Sequence, residues 1–292
     1  MSKTLLSKIQ KIYPTLSKSH KRIADFILEH YDKAAFMTAA TLGKTVDISE
    51  STVVRFATQL DYEGYPEFQK GLQEMIKSKL TAIQRMEVTS GRLLDSNILE
   101  KVLTSDIDMI RTTLDNISRD SFNSSIEAIN HAKKIYIMGV RSSAPLASFI
   151  AFYFNMIYDQ VELVETTSPS GIFEQIFKIT SDDVCIAISF PRYSNQTVNA
   201  LQFIHSKGAK IVAITDSEFS PIAKFSNYIL TAKSDMASFV DSLVAPLSVI
   251  NALIVAATLG KKDVVMKNFS ELESVWEKYQ VYQKMEEVDP DV

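Results

Sequence analysis

The spacing of apolar residues divides the chain into two parts. In the N-terminal part, apolar residues recur every three or four positions, which predicts helices. Further along, short apolar runs alternate with helical repeats, which predicts a doubly wound parallel sheet covered on both faces. We expect an all-α domain over residues 1–77, a partly helical linker over 78–106 and an α/β domain with a C-terminal helix over 107–285.

Two short helices joined by a tight turn are predicted in the first domain. Thr38 is expected to cap the first helix and Ser49 the second, with Asp47 in the turn between them. The second helix carries an apolar stripe at positions i, i+3, i+4 and i+7, formed by Val53, Phe56, Ala57 and Leu60. This is the helix-turn-helix layout. In the turn that follows, Gly64 is expected to take a positive φ.

The other face of the second helix is small and polar. It carries the residues that we expect to contact DNA: Ser49, Ser51, Thr52, Arg55 and Gln59. Hydroxyls, an amide and a guanidinium suit base edges and phosphates. Residues 1–80 hold twelve Lys and Arg against nine Asp and Glu, a net charge of +3, while the remainder holds nineteen against twenty-six, or −7. This imbalance favours double-stranded DNA over the alternative, an ordinary three-helix packing unit.

Five strands are predicted in the C-terminal part: Ile135–Met138, Val161–Val164, Val184–Ile188, Ile211–Thr215 and Tyr228–Leu230. Ligands of such sheets collect at the carboxyl ends of the strands, near the point where strand order reverses. Two of these strand ends are rich in hydroxyls, residues 139–143 and 189–197.

Helices are predicted around these strands. A long helix starts at Ile98, a helix capped by Asp120 precedes the first strand, and two helices, Ser238–Leu259 and Met266–Met285, close the chain.

The stretch from Asp183 to Val198 combines a buried strand, a polar loop and the start of a helix. A helix N-terminus offers unpaired N–H groups and the positive end of a dipole, and nearby hydroxyls add donors. The stretch therefore predicts an anion-binding site. The alternative is a polar connection that only caps the helix.

Composition narrows the class of protein. The hydrophobic share of 46% and the charged share of 23% are typical of a globular protein in solution. One cysteine, Cys185, and four scattered histidines form no metal-ligand cluster, so we expect neither a metal nor another cofactor. The sequence shows neither a secretion leader nor an apolar run long enough for a membrane span, so we expect a cytoplasmic protein that does not bind membranes.

At this point the chain resembles the RpiR family of bacterial sugar-responsive transcription regulators. The N-terminal likeness rests on Ile23-Ala-Asp-Phe-Ile27, on Ser49-x-x-Thr52-Val-Val-Arg55-Phe56 and on Gly64-Tyr65-x-Glu67-Phe68. The C-terminal likeness is to the SIS (sugar isomerase) domain, through Gly139-Val-Arg-Ser142-Ser143, Ile188-Ser189, Gly208 to Asp216 and Ser220-Pro-Ile-Ala223. The order and spacing of these motifs carry the resemblance.

The resemblance implies a flavodoxin-like sheet that binds a phosphosugar. The implied ligand-binding residues are Ser142, Ser143, Ser189, Arg192, Ser194 and Thr197. The chain departs from the family's Ser-x-Ser-Gly-x-Thr loop, because Pro191, Arg192 and Ser194 stand where Ser, Gly and Thr are usual. Arg192 offers a planar, permanently charged group suited to phosphate or carboxylate, which compensates for the hydroxyl and N–H lost at Pro191.

Together these features predict a transcription regulator rather than an enzyme. We expect a homodimer or homotetramer on a pseudo-palindromic operator, with a phosphosugar as effector. The alternative is a phosphosugar isomerase or lyase, whose base would be one of Glu165, Glu174, Lys178 and His205, although none stands in a distinguishing motif. A third interpretation, a non-catalytic subunit-interaction module, predicts neither DNA nor sugar binding.

Overall fold

The structure is a computed structural model and describes residues 5–77, 81, 83–86, 97–165, 168–235 and 240–283. The chain forms two compact units. The described residues of the first unit fall within 1–112, 190–193 and 233–245. Those of the second unit fall within 113–189, 194–232 and 246–292.

The first unit is helical. Its first 77 residues form α1 (Leu5–Ile12), α2 (Lys18–Glu29), α3 (Tyr31–Ala34), α4 (Ala39–Thr45), α5 (Glu50–Gln59) and α6 (Tyr65–Lys77). The predicted stripe of α5 is buried together with Ile23 of α2 and Phe68 of α6. Phe56 meets Phe68 edge to face at 5.9 Å between ring centroids. The helices are therefore held by one apolar core, as their spacing predicts.

The starts of α4 and α5 lie where they were predicted, with one difference in hydrogen bonding. Thr38 caps α4, and its hydroxyl accepts a hydrogen bond from the N–H of Thr41 at 3.1 Å. Ser49 is the N-cap residue of α5 as predicted, but its side chain makes no capping bond to the helix backbone. Its Oγ lies instead 2.8 Å from the hydroxyl of Thr52 and 3.1 Å from that of Ser51.

The two turns of this unit place aspartate, not glycine, in the left-handed region. Asp47 has φ 53° between α4 and α5, and Asp61 has φ 63° after α5. The expectation of a positive φ at Gly64 is therefore wrong. Aspartate tolerates this region because its short side chain bonds the local backbone, so Asp61 reverses the chain three residues earlier.

A parallel five-stranded sheet forms the centre of the second unit. It consists of β1 (Ile135–Gly139), β2 (Val161–Leu163), β3 (Val184–Ile188), β4 (Lys210–Thr215) and β5 (Tyr228–Thr231), in the order β2-β1-β3-β4-β5. All five predicted strands are confirmed, each within one residue at either end. The order reverses between β1 and β3, where Gly139 lies opposite Ile188. This is the point at which such sheets bind ligands.

The helices after residue 97 are α7 (Ile98–Asn116), most of which belongs to the first unit, and α8 (Arg119–His131), α9 (Ala144–Ile157), α10 (Pro169–Ile176), α11 (Asn195–Ser206), α12 (Val244–Gly260) and α13 (Lys262–Tyr279). α9 packs on β1, β2 and β3, α11 packs on β3 and β4, and α8 packs on β5. Every residue of β1 and β3 is buried, which places apolar side chains on both faces of the sheet, as the unbroken apolar runs predict.

Some helix ends differ from the predictions. α8 is capped by Ser118, whose hydroxyl accepts from the N–H of Ser121, rather than by Asp120. α12 begins at Val244 instead of Ser238, whose position lies outside the described residues, because residues 240–243 form no helix. α13 begins four residues earlier than predicted and ends at Tyr279, where Gln280 turns left-handed at φ 49°.

Polar contacts bring distant segments together within the first unit. Nη1 of Arg85 lies 2.7 and 2.9 Å from the two carboxylate oxygens of Asp241, and the two side chains are only 4% and 19% exposed. The hydroxyl of Ser242 donates to Asp106 in α7 at 2.7 Å. The segment just before α12 is therefore fixed to Arg85, which precedes α7, and to Asp106 in the middle of α7.

Among the described helices, none has by itself the length and apolar composition needed to cross a bilayer. α12 and α13 meet that test only as a pair, and the pair is bent by 97°.

Candidate functional site

The helix pair α4–α5 depends on a glycine at its closest approach. A Cβ added at Gly43 would lie 2.6 Å from the carbonyl oxygen of Ile48, which is too close for any side chain. The amide of Ile48 in turn donates to the carbonyl of Gly43 at 2.8 Å. The turn therefore packs directly on the backbone of α4, and this contact sets where α5 begins.

The predicted DNA-contacting residues lie on the outward side of α5. Ser51, Arg55 and Gln59 are exposed, as is Ser49 at the N-cap, whereas Thr52 is half-buried. Because the opposite side of the helix is fully buried in the core, these side chains share one polar face. A face of this kind suits the major groove, which admits one helix.

Two of these side chains already have contacts. Nε of Arg55 donates to the carbonyl of Ser51, one turn earlier, at 3.3 Å. Oε1 of Gln59 lies 2.6 Å from Nδ1 of His20, and that ring meets Phe56 edge to face. His20 in α2 therefore holds the end of α5. Sequence reasoning did not single out His20, because no spacing within one helix reports a contact between residues 39 apart.

At the sheet, β1 and β3 lie on either side of the switch point, and each is followed by a segment rich in hydroxyls. A Cβ at Gly139 would lie 2.4 Å from the carbonyl oxygen of Ser143, so only glycine lets the chain turn back across the end of β1. The turn is a short 3₁₀ segment, Arg141–Ser143, in which Arg141 has φ 59°. A non-glycine residue in this region is uncommon and stores some strain. The turn presents Ser142 to solvent and buries Ser143.

The loop after β3 leads into α11. Ser189 is buried directly after the strand, and its N–H donates to the carbonyl of Ile214 on β4 at 3.1 Å. Ser194 is the N-cap of α11, and its hydroxyl accepts from the N–H of Gln196 at 3.2 Å. Thr197 is fully buried in the first turn of the helix. Strand end, hydroxyls and helix start are therefore arranged as the sequence predicted.

Two hydroxyls at these strand ends are buried without a partner. Oγ1 of Thr197 has no hydrogen-bond partner within the described residues, and neither has Oγ of Ser220. Ser220 follows β4, the neighbour of β3, and is 4% exposed. A buried hydroxyl without a partner costs about 1–3 kcal/mol, so each of these atoms is suited to a ligand that supplies the missing bond. Ser220 was not among the predicted ligand residues, although its Ser-Pro motif was recognised.

Arg192 is exposed. It belongs to the segment 190–193, which is grouped with the first unit, while Ser189 and Ser194 on either side belong to the second. Its role beside these serines therefore stays a prediction.

The residues considered as catalytic bases are all at the surface: Glu165, Glu174, Lys178 and His205. Nδ1 of His205 lies 3.1 Å from the carbonyl oxygen of Phe225. Burial raises the pKa of the Cys185 thiol to about 12, so this cysteine is a small core residue and not a nucleophile. In the part of the chain that the structure describes, no three His, Cys, Asp or Glu side chains are grouped to hold a metal ion.

Comparison with known proteins identifies both parts of the chain. A model described as "Helix-turn-helix domain, rpiR family" matches residues 3–79, and a SIS domain model matches residues 128–256. An HTH-type transcriptional regulator of Haemophilus influenzae is 25% identical over 269 residues, covering 90% of this chain and 93% of the relative. The HTH-type transcriptional regulator HexR of Escherichia coli is 26% identical over 268 residues, covering 88% of this chain and 89% of HexR.

One solved structure has a similar fold over most of this chain. The NanR protein of Vibrio vulnificus, solved in complex with ManNAc-6P, superposes with a TM-score of 0.58 at 20% sequence identity. The match covers 94% of this chain and 98% of NanR. Residues 3–79 thus form a helix-turn-helix domain of the rpiR family and residues 128–256 a SIS domain, in the expected order, and these are the two domains expected of an RpiR-type transcription regulator.

Proposed function

We propose that this protein is a sequence-specific DNA-binding transcription regulator whose SIS domain senses a phosphosugar or a related anionic sugar. The observation that carries the proposal is the presence, in one chain, of an exposed polar face on α5 and of two buried hydroxyls after β3 and β4, those of Thr197 and Ser220, that have no hydrogen-bond partner among the described residues. The first suits a DNA groove, and the second suits a small ligand rich in hydrogen-bonding oxygens.

The ligand class is supported by charge and by likeness. The start of α11 favours an anion because its first N–H groups have no acceptor within the helix and its dipole is positive at this end. The similarly folded NanR was solved with a sugar phosphate, ManNAc-6P. The proposed ligand-binding residues are Ser142, Ser143, Ser189, Arg192, Ser194 and Thr197, to which the partnerless hydroxyl of Ser220 is added.

Sensing is favoured over catalysis by the position of the bases. A general base works best with a pKa near the working pH, and burial commonly shifts it there. Glu165, Glu174, Lys178 and His205 are all solvent-exposed, whereas the buried polar groups at the strand ends are hydroxyls. The relatives HexR and the Haemophilus influenzae protein also carry the names of regulators. We therefore propose that the protein is not an enzyme.

The regulator would act in the bacterial cytoplasm as a homodimer or homotetramer. Two copies related by a two-fold axis place two recognition helices about one DNA turn apart, and the operator would then be a pseudo-palindrome.

The test combines two titrations on the full chain. Fluorescence anisotropy with the DNA upstream of the protein's own gene should give saturable binding that excess unrelated DNA does not abolish. A thermal-shift screen of sugar phosphates and sugar acids should yield at least one compound that raises the melting temperature. Absence of sequence-specific binding at low salt would overturn the assignment as a regulator. Turnover of a phosphosugar with catalytic efficiency typical of enzymes would favour the isomerase instead.

A further inference from the structure

Helix α7 buries one side and leaves a row of large apolar residues exposed on another. Met109 and Thr113 lie on the covered side and are almost completely buried. The other side carries five large apolar residues that are between 38% and 71% exposed: Leu99, Leu103, Ile107, Ile110 and Leu114. We call these five residues the α7 stripe. Its spacings of four, four, three and four residues are those of a helix that packs lengthwise against another helix.

The α7 stripe is narrow and continuous. At about 100° per residue, its five positions fall within an arc of about 80° on the helix surface. It runs for about 22 Å along the helix, at a rise of about 1.5 Å per residue. Monomeric proteins rarely expose a contiguous apolar surface of this kind, and such surfaces mark contacts with other proteins.

The stripe is complementary to itself when a second copy runs in the opposite direction. With a two-fold axis between Asp106 and Ile107, Leu99 faces Leu114 of the other copy, and Leu103 faces Ile110 of the other copy. The two Ile107 side chains meet beside the axis. Every apolar position then has an apolar counterpart, as an isologous contact between identical surfaces requires.

Charges beside the stripe match the same arrangement. Glu100 and Arg111 both lie on one flank of the stripe and are exposed. In an antiparallel pair, equivalent flanks face each other, so Glu100 of each copy would stand within about one helical turn of Arg111 of the other. Among the described residues, the ion pair that Arg111 makes is a long, exposed one with Asp108 at 3.7 Å. In a parallel pair the two Glu100–Arg111 flanks would lie on opposite sides of the contact, so neither Glu100 would face Arg111 of the other copy.

We infer that α7 is a dimerisation helix, and that its stripe packs antiparallel against the α7 stripe of a second copy of this chain around a two-fold axis near Ile107. This inference deepens the proposed function, because it gives the dimeric regulator its contact surface. The axis would relate two α5 recognition helices, so the operator half-sites would follow the same symmetry.

Engineered cysteines test the pairing directly. With helix axes 8–10 Å apart, the two Cβ atoms at position 107 would lie about 4–5 Å apart, within reach of a disulfide. The variant Ile107→Cys should therefore form a covalent dimer on mild oxidation at micromolar concentration. The control Asp108→Cys sits at the same height on the opposite side of the helix, more than about 10 Å from its counterpart, and should stay monomeric on a non-reducing gel. The natural Cys185 is fully buried and does not interfere.

Charge reversal supplies a second, independent test. The single variant Glu100→Arg or Arg111→Glu replaces both attractive pairs of the dimer with pairs of like charge. Either variant should therefore raise the dimer dissociation constant, measured by analytical ultracentrifugation, roughly tenfold. The double variant should restore the wild-type constant, because the pairs are re-formed with opposite polarity.

The outcomes separate this inference from the proposed function. Failure of Ile107→Cys to cross-link, or equal cross-linking by Asp108→Cys, would overturn the antiparallel pairing. If the wild type still binds operator DNA, the proposed function as a transcription regulator is unaffected by that result. If Ile107→Cys cross-links selectively but the protein binds no operator DNA, the antiparallel pairing is supported and the proposed function as a regulator is overturned.

Discussion

The hydroxyl of Thr197 is buried at the start of α11 without a hydrogen-bond partner among the described residues. A buried polar group in this state opposes folding, since it gives up its water and gains nothing. A ligand that accepts from or donates to this oxygen would recover that loss. A ligand bound at this oxygen would thus link the free energy of unfolding to occupancy of the proposed site.

Replacing Thr197 with valine removes the hydroxyl at almost constant volume. We expect Thr197→Val to melt at the same temperature as the wild type or higher, and to lose most of the thermal shift produced by the effector. The control is Thr215→Val, which is equally buried but loses a hydroxyl that bonds Asp216 at 3.3 Å, and should melt lower. A Thr197→Val protein that keeps the full ligand-induced shift would place the ligand elsewhere.

Arg55 is exposed at the centre of the polar face of α5. If its guanidinium reads a base, Arg55→Ala should weaken binding to the specific operator by about 1–3 kcal/mol and relax the preference at one base pair. The measurement is an anisotropy titration against operators with single base changes. An equal loss on every sequence would instead mark Arg55 as a phosphate contact, and an unchanged affinity would remove it from the interface.

Ionisation of Tyr65 is expected to lower the stability of the first unit at alkaline pH. Its hydroxyl donates to the carbonyl of Met37 at 2.8 Å, and burial raises the pKa of Tyr65 to about 12. Tyrosine in an unfolded chain has a pKa near 10, so the folded state holds its proton more tightly. The stabilisation is complete below about pH 10 and is lost as the pH rises toward 12.

We expect the free energy of unfolding to fall less steeply between pH 10 and 12 in Tyr65→Phe than in the wild type. At neutral pH the variant should lose only about 1 kcal/mol, because the carbonyl of Met37 also accepts from Gln69 at 2.7 Å. Urea unfolding at several pH values measures both effects. Parallel pH profiles for the two proteins would contradict the burial of this phenol.

At the scale of elements, the turn between α4 and α5 depends on Gly43. Any Cβ there would overlap the carbonyl oxygen of Ile48, which belongs to the backbone and cannot rotate away. We expect Gly43→Ala to lower the free energy of unfolding by about 1–3 kcal/mol and to weaken operator binding by displacing α5. The control is Gly64→Ala, whose Cβ would meet only Cδ of Pro66 at an ordinary 3.7 Å and should change stability by less than about 0.5 kcal/mol.

The sequence predicted elements better than the contacts between them. The stripe of α5 and the apolar run of β3 follow helical and buried-strand periods closely, because local spacing decides which face is buried. The hydrogen bond between His20 and Gln59 has no local signal, since two different helices must first pack. Helix ends are less predictable than buried faces but more predictable than contacts between helices. Either Ser118 or Asp120 can cap α8, and tertiary packing decides between them.

The sequence allowed some residues of the candidate ligand site to be proposed. Ser189 and Thr197 are indicated because hydroxyls cluster after an apolar strand and before a helix. The burial of the Thr197 hydroxyl without a partner among the described residues could not be predicted, because the state of a hydrogen bond depends on every element packed around it. Ser220 becomes a candidate only once β4 is known to lie beside β3.

For the whole molecule, linkage makes a quantitative prediction. If the effector changes operator affinity by some factor, operator DNA must change effector affinity by the same factor, and couplings of about 5–150-fold are common. Anisotropy with and without effector gives the first factor, and calorimetry with and without operator gives the second. Two unequal factors would show that a further state or a change in assembly takes part. No change in either would refute sensing through DNA binding.

The ion pair between Arg85 and Asp241 also decides how this protein can be cut into fragments. The two residues are 156 positions apart, so a fragment that starts at residue 97 keeps the carboxylate and discards the guanidinium. Removing one member of a nearly buried pair costs about 3–5 kcal/mol, because the remaining charge loses its counter-charge in a place that water reaches poorly. A truncated C-terminal half is therefore expected to unfold at lower urea than the intact chain. Limited proteolysis should find the intact chain more resistant around residue 241 than the fragment.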